Sequence, residues 1–166
     1  MSLILALLIG LPNGSIVVWE GGFLVGPIGN VTGSQYTHVA IVLDNNIYEA
    51  TPPVVRKMSV DNYFVYLESL KTKPFWQRRS FNYFILKPVK LFTDKQVSEM
   101  RSYAESQLGR PYMLRGYWQN REVRGIMCSQ YVGNTLEKSG LIKSSNYKES
   151  PISLYNKVFP FYEIAP

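Results

Sequence analysis

Two neighbouring runs of the chain decide its fold: Thr37-His38-Val39-Ala40-Ile41-Val42-Leu43 and Ile47-Tyr48-Glu49-Ala50. Both are rich in β-branched and aromatic residues, and Asp44-Asn45-Asn46 between them is a cluster of turn-forming residues. This pattern predicts a β-hairpin. Successive side chains of a strand point to opposite faces of its sheet, so His38 is expected on the face opposite Val39.

Outward from the hairpin, the spacing of hydrophobic residues predicts further strands and several helices. A capping box at Thr93-Asp94-Lys95-Gln96 opens a helix that is expected to bury Val97, Met100, Ala104 and Leu108. The other elements are strands over 15–19, 81–87 and 158–164 and helices over 61–70, 128–138 and 151–154. Together they predict an α+β fold, in which the helices pack on one side of a small antiparallel sheet.

Size and composition bound the class of protein. The 166 residues suit a single domain over 1–166, with its core within about 12–161. Hydrophobic residues make up 46% and charged residues 18% of the chain, which is a globular rather than a disordered composition. The single cysteine excludes an intramolecular disulfide framework and a multi-cysteine metal site. We therefore predict neither a metal nor a cofactor.

The net charge of +6 is carried by scattered basic residues, some of them interleaved with Phe75, Trp76, Tyr117 and Trp118. Such a surface suits peripheral contact with an anionic partner, such as a lipid headgroup or a cell-wall polymer. A merely solvated basic surface is the favoured alternative. Nucleic acid is not expected as a partner, because the chain carries no recognisable nucleic-acid-binding motif.

The apolar segment from Leu3 to Leu11 is shorter than the roughly 20 residues that a bilayer-spanning helix needs. It also lacks the basic flank and the small-residue cleavage site of a signal peptide. We expect a short buried helix or strand here, with a cleaved or membrane-anchored leader as the alternative. A cytoplasmic location is accordingly favoured over export or membrane association.

The one cysteine and the one histidine of the chain lie where thiol chemistry would use them. Cys128 opens the predicted helix 128–138, and backbone N–H groups at a helix N-terminus favour the thiolate. His38 heads the first hairpin strand. An imidazole that meets this thiol would form the ion pair of an activated nucleophile. The alternative for each is a structural role, as a buried small hydrophobe and as a strand histidine.

Glu49 is the candidate third member, because a carboxylate bound to the second imidazole nitrogen would orient the ring. Direct pairing of Glu49 with His38 requires a turn centred on Leu43-Asp44. A turn centred on Asn45-Asn46 instead places Glu49 opposite Val42, roughly 13 Å along the strand. The sequence favours the second register, and a solvent-facing Glu49 stays open as an alternative.

Three further residues are candidates for contact with a substrate: Tyr36, Tyr112 and Ser129. Tyr112 follows Gly109-Arg110-Pro111, a rigid exit from a helix, so its hydroxyl would project into a cleft. A packing aromatic is the alternative. The five glycines of residues 20–35 predict a long loop that leads into His38 and borders the same cleft.

In their order along the chain, five short motifs resemble the circularly permuted NlpC-type papain-like hydrolases, relatives of the lecithin retinol acyltransferase-like enzymes. These motifs are Thr37–Val42, Tyr48–Ala50, Leu108–Tyr112, Cys128–Val132 and Ser150–Leu154. The resemblance covers about residues 14–161, and the histidine precedes the cysteine as the permutation requires. Met113 and Met127 depart from the family pattern, in which an acidic residue and an aromatic often occupy these positions.

The resemblance implies a permuted papain-like fold with Cys128 as nucleophile, His38 as general base, Glu49 as the polar third member and Tyr112 near the active site. It implies a cysteine hydrolase that cleaves an amide or ester bond in a cell-wall peptide, another amide or an acyl lipid. Two alternatives stay open. One is an acyltransferase that passes a Cys128 thioester to an amine or alcohol, and the other is a binding module with an idle triad.

Overall fold

A six-stranded antiparallel sheet forms the centre of the protein in the computed structural model, which describes residues 10–21, 34–71 and 81–165. Its strand order is β4-β3-β2-β1-β5-β6. The strands are β1 (Ile16–Glu20), β2 (Tyr36–Leu43), β3 (Asn46–Thr51), β4 (Val54–Ser59), β5 (Asn82–Pro88) and β6 (Tyr162–Ile164). The predicted α+β class is confirmed.

The β2–β3 hairpin turns on two residues, Asp44 and Asn45, which both have positive φ angles of 48° and 57°. Two such residues form the tight turn whose twist matches that of the flanking strands. Leu43 consequently pairs with Asn46, and Ile41 with Tyr48. This register lies between the two considered above, so the preference for a turn on Asn45-Asn46 was wrong by one residue.

Five α-helices accompany the sheet within the described residues. They are α1 (Val60–Lys71), α2 (Asp94–Ser106), α3 (Arg115–Gln119), α4 (Cys128–Lys138) and α5 (Pro151–Val158). The capping box at Thr93 and Gln96 forms as predicted. Ser150 caps α5 through its side chain, and Pro151 occupies its first turn.

The helices lie on both faces of the sheet, so the prediction that they pack on one side was wrong. One core includes β-strand residues such as Val39 and Ile41 together with α2, α4 and α5. A second core on the opposite face joins Val17, Ala40 and Val42 to α1. Because the central strands are buried on both faces, they are almost continuously apolar.

Three local predictions also need correction. Helix α2 ends at Ser106, and Leu108 beyond it is 41% exposed instead of buried. The last strand is confined to Tyr162–Ile164, because α5 and a 3-10 turn occupy the residues before it. Strand β4 was not predicted, since Pro52-Pro53 after Ala50 and Thr51 is typical of the end of a hairpin. The chain instead turns there and returns along β3.

Candidate active site

His38 lies in the middle layer of the protein and is fully buried. It pairs across the sheet with Trp19 of β1, and the centroids of the two rings are 4.5 Å apart. Because side chains alternate along β2, His38 lies on the same face of the sheet as Ala40, which packs in the core formed with α1. The imidazole is thereby held in one orientation by packing on an aromatic ring.

Glu49 binds the imidazole of His38, with 2.7 Å between Oε2 and Nε2. The observed register pairs Ile41 with Tyr48, so the same register places Glu49 and His38 on one face of the sheet as diagonal neighbours. The β2–β3 ladder ends at the Ile41–Tyr48 pair, although both strands continue beyond it. The structure thus brings together two residues that the favoured turn register had placed apart.

Two further residues hold the Glu49 carboxylate. Arg56, its direct cross-strand partner on β4, donates to Oε1 from Nε at 2.7 Å and places its Nη2 2.6 Å from the same oxygen. The Tyr63 hydroxyl on α1 donates to Oε2 at 3.0 Å. Burial alone would raise the pKa of Glu49, but the contacts with His38 and Arg56 outweigh it and lower the pKa. Glu49 is therefore an ionised carboxylate inside the protein.

Cys128 is the first residue of α4 and is fully buried at the start of the helix. The N-cap residue Met127 makes no side-chain hydrogen bond to the first turn, so the first N–H groups of the helix are not capped by it. Cys128 packs with Val39 and Ala50 in the core that the sheet forms with α2, α4 and α5. It is near enough to His38 to influence the pKa of the imidazole.

Cys128 and Glu49 act on the same imidazole. Burial lowers the pKa of His38, yet the charge and polarity of Cys128, followed by those of Glu49, raise it to about 9. The Nδ1 atom of His38 has no partner with hydrogen-bond geometry among the described residues. Glu49 occupies Nε2 of the ring. We therefore infer that Cys128 lies near Nδ1, without the geometry of a hydrogen bond.

Tyr112 lies beside the thiol. It forms a parallel bridge with Ile126, two residues before Cys128, and its own backbone N–H donates to the Pro53 carbonyl at 2.9 Å. Its hydroxyl is buried and has no hydrogen-bond partner among residues 10–21, 34–71 and 81–165. Burial, and secondly the charge of Cys128, raise the pKa of Tyr112. A neutral phenol donor is therefore kept near the sulfur.

The other two candidate substrate contacts have different neighbours. Tyr36 is partly buried against Tyr155 and Phe84, at centroid distances of 5.0 and 5.7 Å. Ser129 is fully buried, and its hydroxyl donates to the backbone carbonyl of Glu149 at 2.6 Å. In this arrangement Ser129 anchors α4 to the segment before α5, and its assignment as a substrate contact stays a prediction.

Arg56, Tyr63 and Trp19 were not identified by sequence reasoning. Arg56 lies on β4, the strand that was not predicted. Its position opposite Glu49 follows only from the pairing of β3 with β4. Tyr63 lies on the buried face of α1, but the sequence carries no sign that its hydroxyl meets Glu49. No pattern in the sequence predicts that Trp19 packs on His38.

Some predictions lie outside the described residues. These are the apolar segment 3–9, residues 22–33 of the glycine-rich loop, and Phe75 and Trp76. Within the described part of the chain, no group of three or more His, Cys, Asp or Glu residues is placed to hold a metal ion. The same part contains no helix with the length and apolarity needed to span a bilayer.

Comparisons with known proteins establish the fold alone. No family model matches the chain, and no curated protein matches it at a significant level. Among solved structures, the chain is similar to metalloprotein YiiX from Escherichia coli O157:H7, with a TM-score of 0.61 and 16% sequence identity. The similarity covers 94% of this chain and 97% of that one. The fold of this chain is therefore similar to that of a solved structure over 94% of its length.

Proposed function

We propose that the chain is a cysteine hydrolase that cleaves an amide or ester bond by means of Cys128, His38 and Glu49. The observation that carries the proposal is the position of one buried imidazole between a carboxylate, at 2.7 Å, and a thiol that raises its pKa. Strongly perturbed groups of complementary chemistry are characteristic of active sites. The resemblance to permuted NlpC-type papain-like enzymes supports the same three roles.

In the first step, the Cys128 thiolate attacks the carbonyl carbon of the substrate, and a C–S bond forms. The carbonyl electron pair moves onto oxygen, where the backbone N–H of Cys128 and the free hydroxyl of Tyr112 are available to stabilise it. When the intermediate collapses, the bond to the leaving amine or alcohol breaks. The imidazolium of His38 donates its proton to that leaving group, which leaves a thioester on Cys128.

In the second step, neutral His38 accepts a proton from water, and the resulting hydroxide adds to the thioester carbon. Collapse of this intermediate breaks the C–S bond, releases a carboxylic acid and restores the thiolate–imidazolium pair. Glu49 keeps its charge throughout, because Arg56 and Tyr63 stabilise the carboxylate. Its role is to orient the ring and to stabilise the imidazolium. The substrate class we propose remains a cell-wall peptide, another amide or an acyl lipid.

Full burial of Cys128 and His38 favours a second candidate, a binding module in which the same residues are idle. A substrate carbonyl must come within about 3.5 Å of the sulfur, and a side chain with no exposed surface does not permit this without rearrangement. The two candidates differ in one property, which is the reactivity of the thiol in solution.

Iodoacetamide labelling across pH tests the proposal, and the presence of a single cysteine makes the measurement specific to one site. We expect the labelling rate at pH 7 to be already close to its maximum, since the imidazolium of His38 stabilises a thiolate. A rate that instead rises with pH like that of a free thiol, with a midpoint of about 8.5, would establish the idle scaffold. Added amine or alcohol acceptors separate hydrolysis from acyl transfer through the product formed.

Tyr112→Phe removes a hydroxyl that has no hydrogen-bond partner among the described residues, and it leaves the ring in place. We expect ester or amide turnover to fall by roughly 10²-fold, because a donor to the developing oxyanion is lost, while the iodoacetamide labelling rate stays within about twofold. Measurement of p-nitrophenyl ester hydrolysis checks the first result. Tyr103→Phe, which alters a partly buried tyrosine on α2, is the matched control. Equal turnover in the two variants would remove Tyr112 from the site.

Arg56→Met tests how the cation on β4 affects the imidazole. Loss of a positive charge beside Glu49 makes the environment of His38 more negative, so we expect the pKa of His38 to rise above its value of about 9. The alkaline limb of any pH–activity profile moves in the same direction. Arg101→Met is the control, since Arg101 forms an ion pair with Asp44 away from the site. A fall in the His38 pKa in Arg56→Met would contradict this arrangement.

A further inference from the structure

Residues 113–124 form an excursion whose two ends are fixed beside the candidate nucleophile. The Met113 N–H donates to the Ile126 carbonyl at 3.1 Å, and the Ile126 N–H donates to the Pro111 carbonyl at 2.9 Å. Ile126 is separated from Cys128 by a single residue. Within the excursion lies the short helix α3. Whatever binds to this part of the surface therefore lies next to the site.

The excursion carries a concentration of positive charge. Arg115, Arg121 and Arg124 are all exposed, and Glu122 is the only acidic residue between them. Among the described residues, no carboxylate lies within ion-pair distance of any of these three guanidinium groups. Lys148 joins them from the segment before α5, because its Nζ donates to the Tyr117 carbonyl at 3.1 Å and lies 5.2 Å from the centre of that ring.

Apolar side chains accompany these charges. Trp118 is 58% exposed and Met113 is 37% exposed, whereas Gly116 on the inner side of α3 is buried. An exposed tryptophan among arginines without a carboxylate partner is a combination that suits the headgroup region of a membrane, where an amphipathic ring and cationic groups are both accommodated. Isolated exposed tryptophans are common, so the argument depends on the coincidence with the charge.

We propose that this basic surface, formed by Arg115, Trp118, Arg121, Arg124 and Lys148, docks the protein on a bilayer that contains anionic phospholipid. Docking by electrostatic attraction is worth about fivefold in affinity for each basic residue near such a surface, and insertion of Trp118 adds an apolar contribution. The proposal does not depend on catalysis. If the proposed hydrolase activity is also correct, docking presents the Cys128 site to the lipid interface.

A bilayer fits these observations better than nucleic acid does. Single-stranded nucleic acid is bound by several aromatic platforms along a basic groove, and this surface offers one exposed tryptophan. A duplex requires an element that enters a groove, whereas α3 has only five residues. The large exposed fraction of Trp118 is explained by insertion into an interface.

Co-sedimentation of the full chain with vesicles tests the proposal. We expect binding to vesicles of phosphatidylcholine with 30% phosphatidylserine, weaker binding as salt is raised, and negligible binding to pure phosphatidylcholine. The variant Arg115→Gln/Arg121→Gln/Arg124→Gln is expected to lose about 10²-fold in affinity, and Trp118→Ala about tenfold. Circular dichroism and thermal unfolding verify that each variant is folded.

The matched control is Lys87→Gln/Lys90→Gln/Lys95→Gln, which removes the same charge from β5 and the start of α2 and should change binding by less than about threefold. Equal losses in the two triple variants would overturn the proposal in favour of a nonspecific charge effect. Tighter binding to an oligonucleotide than to anionic vesicles at the same salt would overturn it in favour of nucleic acid. Cys128→Ala should bind as the wild-type chain does, so that failure of docking and failure of catalysis are distinguished.

Discussion

Cys128→Ala is expected to abolish iodoacetamide labelling and to lower hydrolysis of a p-nitrophenyl ester by about 10⁴-fold or more. Loss of a nucleophile has an effect of this size because the remaining groups only bind and polarise the carbonyl. The prediction uses the fact that Cys128 is the one cysteine of the chain. Labelling and turnover must therefore disappear together.

The expected loss does not reflect unfolding. Cys128 is buried among apolar residues of the core formed with α2, α4 and α5. Alanine is small enough to be accommodated there, at a cost of about 1 kcal/mol from the loss of one buried heavy atom. Thermal unfolding of the variant should show a single cooperative transition within several degrees of that of the wild-type chain. Turnover that persists in a folded Cys128→Ala protein would contradict the assignment of the nucleophile.

Glu49→Gln has the second largest expected effect. Glutamine keeps the size of the side chain but removes the charge that stabilises the imidazolium of His38, so we expect turnover to fall by about 10²- to 10⁴-fold. The free energy of unfolding should fall by about 3 kcal/mol, because the buried imidazolium of His38 and the partly exposed guanidinium of Arg56 lose their shared partner. This value is at the low end of the range, since Arg56 is 36% exposed and water screens its charge.

The matched control for Glu49→Gln is Glu105→Gln. Glu105 also accepts hydrogen bonds from a lysine and a tyrosine, at 3.3 Å from Lys57 Nζ and 3.1 Å from the Tyr48 hydroxyl, but its side chain is 45% exposed. Its replacement should leave turnover within about twofold. Urea unfolding and ester hydrolysis of both variants give the comparison. Equal stability and activity in the two would mean that Glu49 has no special role.

The hairpin illustrates what the sequence predicts well and what it does not. Alternation within 37–43 and 47–50 determined which residues share a face, and this part of the prediction is confirmed. The register was missed because Asp44, Asn45 and Asn46 all favour turns, and a shift of one residue decides which two of them adopt positive φ. Composition alone does not distinguish these turns.

The cation that holds Glu49 was beyond sequence analysis for a different reason. Two consecutive prolines ordinarily end a strand, yet here Pro52 and Pro53 form the turn into β4 and bring Arg56 opposite Glu49. The pairing depends on the register of the whole β3–β4 hairpin and not on a few adjacent residues. By contrast, the helix starts at Thr93 and Ser150 were predictable, because caps depend on a few adjacent residues.

The most direct test of the account is an NMR titration of the imidazole of His38, which is the one histidine of the chain and gives an unambiguous resonance. We expect a pKa of about 9 in the wild-type chain and a substantially lower pKa in Cys128→Ala, because Cys128 is the leading cause that raises it. A pKa at or below the ordinary value of about 6.5, or one that does not change in Cys128→Ala, would contradict a functional thiol–imidazole pair.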